Sequence, residues 1–261
     1  MKYGFIGCGN MGGSIAKALS RSTHDIIISD PSEKAQLLIS ELNCTFADNA
    51  TVTKICDSIF LAVKPQVMEE VLKPLSVILK KRKPLIITMA AGLTIQKIES
   101  FIGTSLPIIR IMPNTPVSVG KGMILYTYNA QVTKSNLDTF LHDMRYSGQL
   151  DQLDESLIDI ASALSGSGPA YMYHFLEAMA EGAVACGLPK EKAIRYAAAT
   201  MEGAAKMLMA TNDDPCKLRD AVCSPGGSTI EGLKVLNDQD FPAIIKDCIM
   251  AAYNRNLQLG Q

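Results

Sequence analysis

The sequence has no tryptophan and only 7 phenylalanines and 8 tyrosines in 261 residues, so neither its core nor a recognition surface can rest mainly on large aromatic anchors. It also lacks an excess of either charge: 25 basic residues face 26 acidic ones, and the longest like-charged run is Lys80-Lys81-Arg82-Lys83. A run of that length reads as the solvated end of a helix. With no basic field to hold phosphates, neither nucleic acid nor an anionic membrane surface is expected as a partner. Apolar runs stay short of the ~18 residues that a membrane helix requires. The first strand pattern begins at Lys2, which leaves no room for a secretion signal. The cysteines, Cys8, Cys44, Cys56, Cys186, Cys216, Cys223 and Cys248, are odd in number and include no Cys-x-x-Cys pair. A reducing cytoplasm is the expected location. His24, His142 and His174 stand apart from any ligand-like spacing, so no metal centre is predicted.

What the chain does have is close to half apolar residues, enough for two packed domains. Its organising stretch is Gly7-Cys8-Gly9-Asn10-Met11-Gly12, after an apolar run at 2–6 and before a helical pattern at 13–21. Strand, glycine turn and helix in that order fit a dinucleotide fingerprint. Gly7 would make the sharp turn, Gly9 would let the backbone approach a pyrophosphate, and Gly12 would let helix and strand close up. The helix start would supply unpaired N–H groups and the positive end of a dipole. The alternative is a glycine-rich turn that binds nothing.

Further apolar segments at 25–29, 45–46, 58–63, 85–89 and 108–112 alternate with helical patterns at 33–42, 66–79 and 94–101. That alternation predicts a doubly wound parallel sheet covered on both faces. A strand at 122–128, a helix at 135–144 and a short strand at 148–153 complete an α/β Rossmann domain over 1–153. From 154 the strand signals stop, and Ala, Met and Leu recur at helical spacing through 156–164, 169–186, 189–210 and 241–259. The second domain, 154–261, is predicted to be all-helical. Ala178, Gly182, Ala183, Gly203 and Ala204 are small enough for close helix packing. So little bulk per residue predicts that the helices bury themselves against a second subunit, giving a homodimer.

Chemistry-bearing residues fall at the expected strand ends. Asp30 ends the second strand about 20 residues beyond the glycines, where a carboxylate accepts from a ribose 2′-hydroxyl and repels a 2′-phosphate. At ~4 Å that repulsion is roughly 1–4 kcal/mol, a bias toward NADH over NADPH. Otherwise Asp30 is a turn aspartate before Pro31. Ala62-Val63-Lys64-Pro65 closes the fourth strand, with Lys64 set to meet an anion, and Asn49, Ala90 and Ala91 end neighbouring segments. Arg110 to Pro116 leaves the sixth strand stiffened by two prolines. In the helical half, Ser165-Gly166-Ser167-Gly168-Pro169-Ala170-Tyr171 leads into a long helix. Ser224-Pro225-Gly226-Gly227-Ser228-Thr229 precedes another, where the N–H groups of 226–229 would form a carboxylate nest and Thr229 adds a hydroxyl.

These motifs, in this order and over nearly the whole chain, resemble the pyrroline-5-carboxylate reductase family. The resemblance implies an N-terminal Rossmann domain and a C-terminal helical domain that interlocks with its partner's, in dimers that often build decamers. It places cofactor contacts on Ile6, Gly7, Cys8, Gly9, Asn10, Met11, Asn49, Ala62, Val63, Lys64, Pro65, Ala90 and Ala91. Glu155 matches a family glutamate near the ligand site, and Ser224, Gly226, Gly227 and Thr229 match the substrate loop, with Ser228 where many relatives carry alanine. Asp30 departs from the small or hydroxylated residue of many NADPH-preferring relatives. The implied reaction moves hydride from a reduced nicotinamide to the C=N carbon of a cyclic imine. Orientation is then the protein's main task, and Thr229 is expected to contact the ring nitrogen.

Two rival readings differ at identifiable residues. A 3-hydroxyacid or 6-phosphogluconate type dehydrogenase needs a lysine on the long helix, which here reads Ala170-Tyr171-Met172-Tyr173-His174-Phe175. A non-catalytic NAD-binding module would have little use for the second glycine loop. Cys223 beside that loop is either an oxidation-sensitive thiol or a small buried filler.

Overall fold

The computed structural model describes residues 1–23 and 25–259, so His24 lies outside the described residues. The sheet begins with β1 (Tyr3–Ile6), a wholly buried strand, and the chain turns at Gly7 into α1 (Asn10–Leu19). There follow β2 (Ile26–Ser29), α2 (Glu33–Leu42), β3 (Thr45–Phe46), α3 (Asn49–Ile55) and β4 (Ser58–Leu61). Where one helix is predicted over 66–79, the structure has α4 (Met68–Leu72) and α5 (Ser76–Arg82) joined by a 3₁₀ turn containing Pro74. Proline removes an amide donor and interrupts the α-helical ladder. Next come β5 (Leu85–Thr88), α6 (Ile95–Ile102), β6 (Ile108–Pro113), β7 (Gly122–Tyr128), α7 (Lys134–Asp143), β8 (Gly148–Gln152) and α8 (Glu155–Ser165).

Among the described residues eight strands form one sheet in the order β3-β2-β1-β4-β5-β6-β7-β8, with only the β6–β7 pair antiparallel. Two apolar layers cover it. Ile15, Leu19, Phe5, Phe60, Ile87 and Phe140 share one layer, while Val52, Leu61, Leu72, Ile86, Ile98 and Ile108 share the other. The alternation along a strand is visible in Ile86 and Ile87, which point to opposite layers. Helix starts are fixed by side chains: Ser32 accepts from Ala35 N–H, Asp48 from Thr51 N–H and Thr94 from Lys97 N–H.

The chain divides into two compact units, Met1–Pro169 with Ala252–Gln261, and Ala170–Ala251. The second is helical: α9 (Gly168–Ala185), α10 (Lys190–Thr211), α11 (Pro215–Ala221), α12 (Ser228–Asp238) and the first part of α13 (Phe241–Leu259). Among the described residues no helix is long and apolar enough to cross a membrane.

Candidate functional site

Parallel register brings the predicted cofactor residues to one edge of the sheet. Ile6 lies opposite Ser29 on β2 and Leu61 on β4, and Leu61 lies opposite Thr88 on β5. The segments that leave these strands, Gly7 to Met11, Asp30, Ala62 to Pro65 and Ala90-Ala91, therefore emerge side by side at the carboxyl edge. The strand order reverses between β1 and β4, which opens the crevice where open α/β sheets take ligands.

A cavity of about 400 Å³ sits at this edge, lined by Ile6, Gly7, Ser29, Asp30, Pro31, Phe46, Asp48, Asn49 and Val63. Gly7 has φ +83°, and a Cβ there would lie 2.7 Å from Val63 Cγ1 and 2.9 Å from the Ala62 backbone. A Cβ on Gly12 would lie 2.8 Å from that of Ala62, so α1 closes on the segment after β4. A Cβ added at Gly9 would meet nothing within 4 Å, and as N-cap of α1 Gly9 makes no side-chain cap. The first-turn amides of α1 thus face a space open to an anion. Asn10 and Met11 form that first turn, and the Lys34 ammonium donates to Asn10 Oδ1.

Asp30 is held in place rather than left to the turn. Cys8 N–H donates to its Oδ2 at 2.6 Å and Ser32 N–H to its Oδ1 at 2.9 Å. Burial pushes its pKa up, but the hydrogen bonds from Ser32 and Cys8 prevail and hold the carboxyl below its ordinary value. The group is ionised at neutral pH, with lone pairs left to accept. The Cys8 thiol is buried and its pKa is pushed up to about 12, by burial first and then by Asp30, which leaves it protonated and unreactive. The Ser29 hydroxyl donates to Asn49 Oδ1 at 2.7 Å, fixing the Asn49 amide. Lys64 is exposed at the start of a 3₁₀ turn, Pro65–Val67, while Ala90 is buried and Ala91 half-buried.

Reading the sequence missed Ser29, Pro31, Phe46, Asp48 and Lys34. Asp48 carried a signal, an acidic cap before a helical run; Phe46 carried none, because a two-residue strand has no periodicity.

Glu155 lies at the first turn of α8, where its Oε1 accepts from Ile95 N–H at 2.8 Å and from Arg110 at 3.3 Å. Arg110 is fully buried on β6 and reaches Asp159 at 2.7 Å with its other terminal nitrogen, while its Nε has no hydrogen-bond partner among the described residues. Asn114, after β6, donates to Ser165 O at 3.0 Å and accepts from Met123 N–H at 2.9 Å. It thereby ties the end of α8 to β7.

In the helical unit the second glycine turn is formed as the sequence pattern implies, with one difference. Gly226 has φ +73° and Gly227 is the N-cap of α12, without a side-chain cap. Gly227 N–H is spent on Ser224 O at 3.0 Å. Of the amides at 226–229 this removes Gly227, and Ser228 and Thr229 stand exposed in the first turn. Gly227 is also tightly fitted, since a Cβ there would lie 2.5 Å from Ser224 Oγ. His174 is exposed, 3.6 Å from Glu177, and no group of three His, Cys, Asp or Glu among the described residues is placed to hold a metal.

Known proteins match over both halves. Residues 155–259 match the family model described as pyrroline-5-carboxylate reductase dimerisation, and residues 2–92 that of the coenzyme F420-dependent NADP oxidoreductases. The pyrroline-5-carboxylate reductase of Escherichia coli (strain K12) is 38% identical over 266 residues, covering 100% of this chain and 98% of that protein. A crystal structure of Plasmodium falciparum pyrroline carboxylate reductase with NADP bound superposes with a TM-score of 0.92 at 29% identity, covering 100% and 98% of the two chains. The Streptococcus pyogenes 1-pyrroline-5-carboxylate reductase structure gives 0.91 at 34% identity, covering 99% and 98%.

Proposed function

The chain belongs to the pyrroline-5-carboxylate reductase family, and from that premise we propose that it reduces 1-pyrroline-5-carboxylate to L-proline with a reduced nicotinamide dinucleotide. The observation that carries the reading is the pairing, in one chain with full-length relatives, of an open glycine turn beside an ionised Asp30 and a second glycine turn at the start of α12. The cavity at the carboxyl edge fits a dinucleotide. Gly7 and Gly12 admit no side chain, Gly9 faces open space, and the amides of α1 are free to meet a pyrophosphate.

When bound, the coenzyme supplies the hydride that goes to the C=N carbon. The rest is placement. Gly9, Asn10 and Met11 hold the pyrophosphate, Asp30 and Asn49 the adenosine side, and Val63, Lys64, Pro65, Ala90 and Ala91 the rest of the coenzyme along the same edge. The N–H groups of Ser228 and Thr229, aided by the Ser224 hydroxyl, clamp the substrate carboxylate at the positive end of α12. Gly226 and Gly227 shape that turn. The Thr229 hydroxyl contacts the ring nitrogen, directly or through water, while that nitrogen takes its proton from solvent, and Glu155 is assigned to the ligand site by its match to the family glutamate. Asp30 sets a preference for NADH over NADPH of several-fold to several hundred-fold, from a repulsion of roughly 1–4 kcal/mol.

The domains follow as a dinucleotide half, 1–153, and a substrate and dimerisation half, 154–261, acting as a homodimer through the C-terminal helices, with decamers as the further assembly. The enzyme works in the cytoplasm, without nucleic acid or membrane. The test is coenzyme oxidation on addition of pyrroline-5-carboxylate, measured with each coenzyme. Turnover with higher kcat/KM for NADH is expected, and no turnover with either would overturn the reading. In Thr229→Val the loss of one charge-assisted hydrogen bond should lower kcat/KM about 10- to 100-fold.

A further inference from the structure

Phe46 is an apolar ring left in the open beside a charged pocket. It is 51% exposed on β3, the edge strand, and it lines the 400 Å³ cavity together with Pro31 and Asp30. Other phenylalanines have partners: Phe5 stacks on Phe60 at 4.6 Å, Phe140 meets Tyr126, Phe175 meets Phe241 and Phe101 meets Lys97. Among the described residues, the Phe46 ring meets no other ring and no cation. A lone exposed apolar residue on a convex surface needs no explanation. One in the wall of a cavity, next to a carboxylate fixed by two backbone amides, does.

Strand order says what would cover it. From the glycine turn after β1, the next strand outward is β2, which Asp30 follows, and the next is β3, which ends in Phe46. Pyrophosphate, ribose and base follow one another in the same order along the adenosine end of a dinucleotide. With the pyrophosphate at Gly9 and the ribose at Asp30, the base falls over β3.

We propose that Phe46 is the stacking platform for the adenine ring, with Pro31 on the same wall. The proposal rests on the dinucleotide reading of this cavity and adds a specificity residue to it. Stacking uses the face of the ring and is indifferent to a phosphate on the ribose. Phe46 therefore adds affinity for the base-bearing end of the coenzyme and contributes equally to NADH and NADPH, whereas Asp30 separates the two.

Dissociation constants of NADH, NADPH and ADP-ribose, measured on the full-length protein, test this with Phe46→Ala, Phe46→Leu and Phe46→Tyr. In Phe46→Ala all three ligands should weaken by one common factor of about 5- to 100-fold. Phe46→Tyr should bind as the wild type does, and Phe46→Leu should fall between. The urea midpoint without ligand should not move, because the ring is already exposed. Unchanged binding in Phe46→Ala, equal losses in Phe46→Ala and Phe46→Tyr, or a loss for NADH without one for ADP-ribose would each overturn the role of Phe46 and leave the cavity's assignment standing. A wild type that binds none of the three would overturn both.

Discussion

In the sheet unit, side chains such as Phe5, Ile15, Phe60, Ile87 and Ile98 are wholly buried in two layers, whereas in Ala170–Ala251 the buried hydrophobics are Ala180, Ala193 and Ala197. Met172, Tyr173, Met179, Ile194, Tyr196, Met207 and Met209 of the helical unit stand exposed. A cavity of about 660 Å³, lined mainly by apolar residues of α9 and α10 such as Leu176, Val184 and Ile194, lies within that unit. Three buried alanines remove little apolar area from water, at about 25 cal/mol per Å². A Cβ added at Gly182 or Gly203, positions small enough to admit a close neighbour, would meet nothing within 4 Å beyond its own helix backbone in the single chain. The sheet unit has closed its own core, and the helical unit presents surface that other helices can complete.

The strongest way to break this contrast is a charge in the exposed apolar surface. Ile194→Glu should abolish assembly and leave the helical unit open to proteolysis while the sheet unit stays resistant, read by sedimentation and by mapping the cleavage sites. A variant that still assembles would show that α10 does not carry the contact. A smaller effect is expected inside the sheet unit. Arg110→Met leaves Glu155 and Asp159 without their cation, which should lower the unfolding free energy by an amount near the low end of about 3–5 kcal/mol. The discount reflects partial solvation, since the two carboxylates are 32% and 20% exposed. The helical unit's assembly should be unaffected.

The smallest effect is the pH dependence from Asp30. Its folded pKa is lowered, so its stabilising contribution is complete above the ordinary carboxyl range and is lost as pH falls through the folded value. Urea midpoints of wild type and Asp30→Asn should therefore differ at neutral pH and converge in acid. Asp48, lowered by its hydrogen bonds with Thr51, adds to the same slope and is unaffected by that variant.

The parallel part of the sheet was legible because wholly buried strands read as continuous apolar runs, as in Ile26-Ile27-Ile28 and Leu85-Ile86-Ile87. The direction of β7 was not, since apolar content looks alike in either direction. The cue was the connection between Pro113 and Gly122, too short for a parallel crossover, which takes about a dozen residues or more. In the cavity, Gly7 and Asp30 could be read from spacing. Ser29, Pro31 and Phe46 line it only because three strands end in register. The partners of Glu155 were hidden for a similar reason: Arg110 sits in a buried strand 45 positions away and reads as one polar residue in an apolar run.

The division of the chain has a consequence for synthesis. The sheet unit is discontinuous, and its last piece, from Ala252 in α13, brings Asn256 to donate to Asp159 O at 2.9 Å. A ribosome adding about 5–20 residues per second delivers that piece only after the entire helical unit. The nascent sheet unit must therefore wait several seconds for its last segment, and the carbonyl of Asp159, already within the ladder of α8, gains its second donor from Asn256 only then.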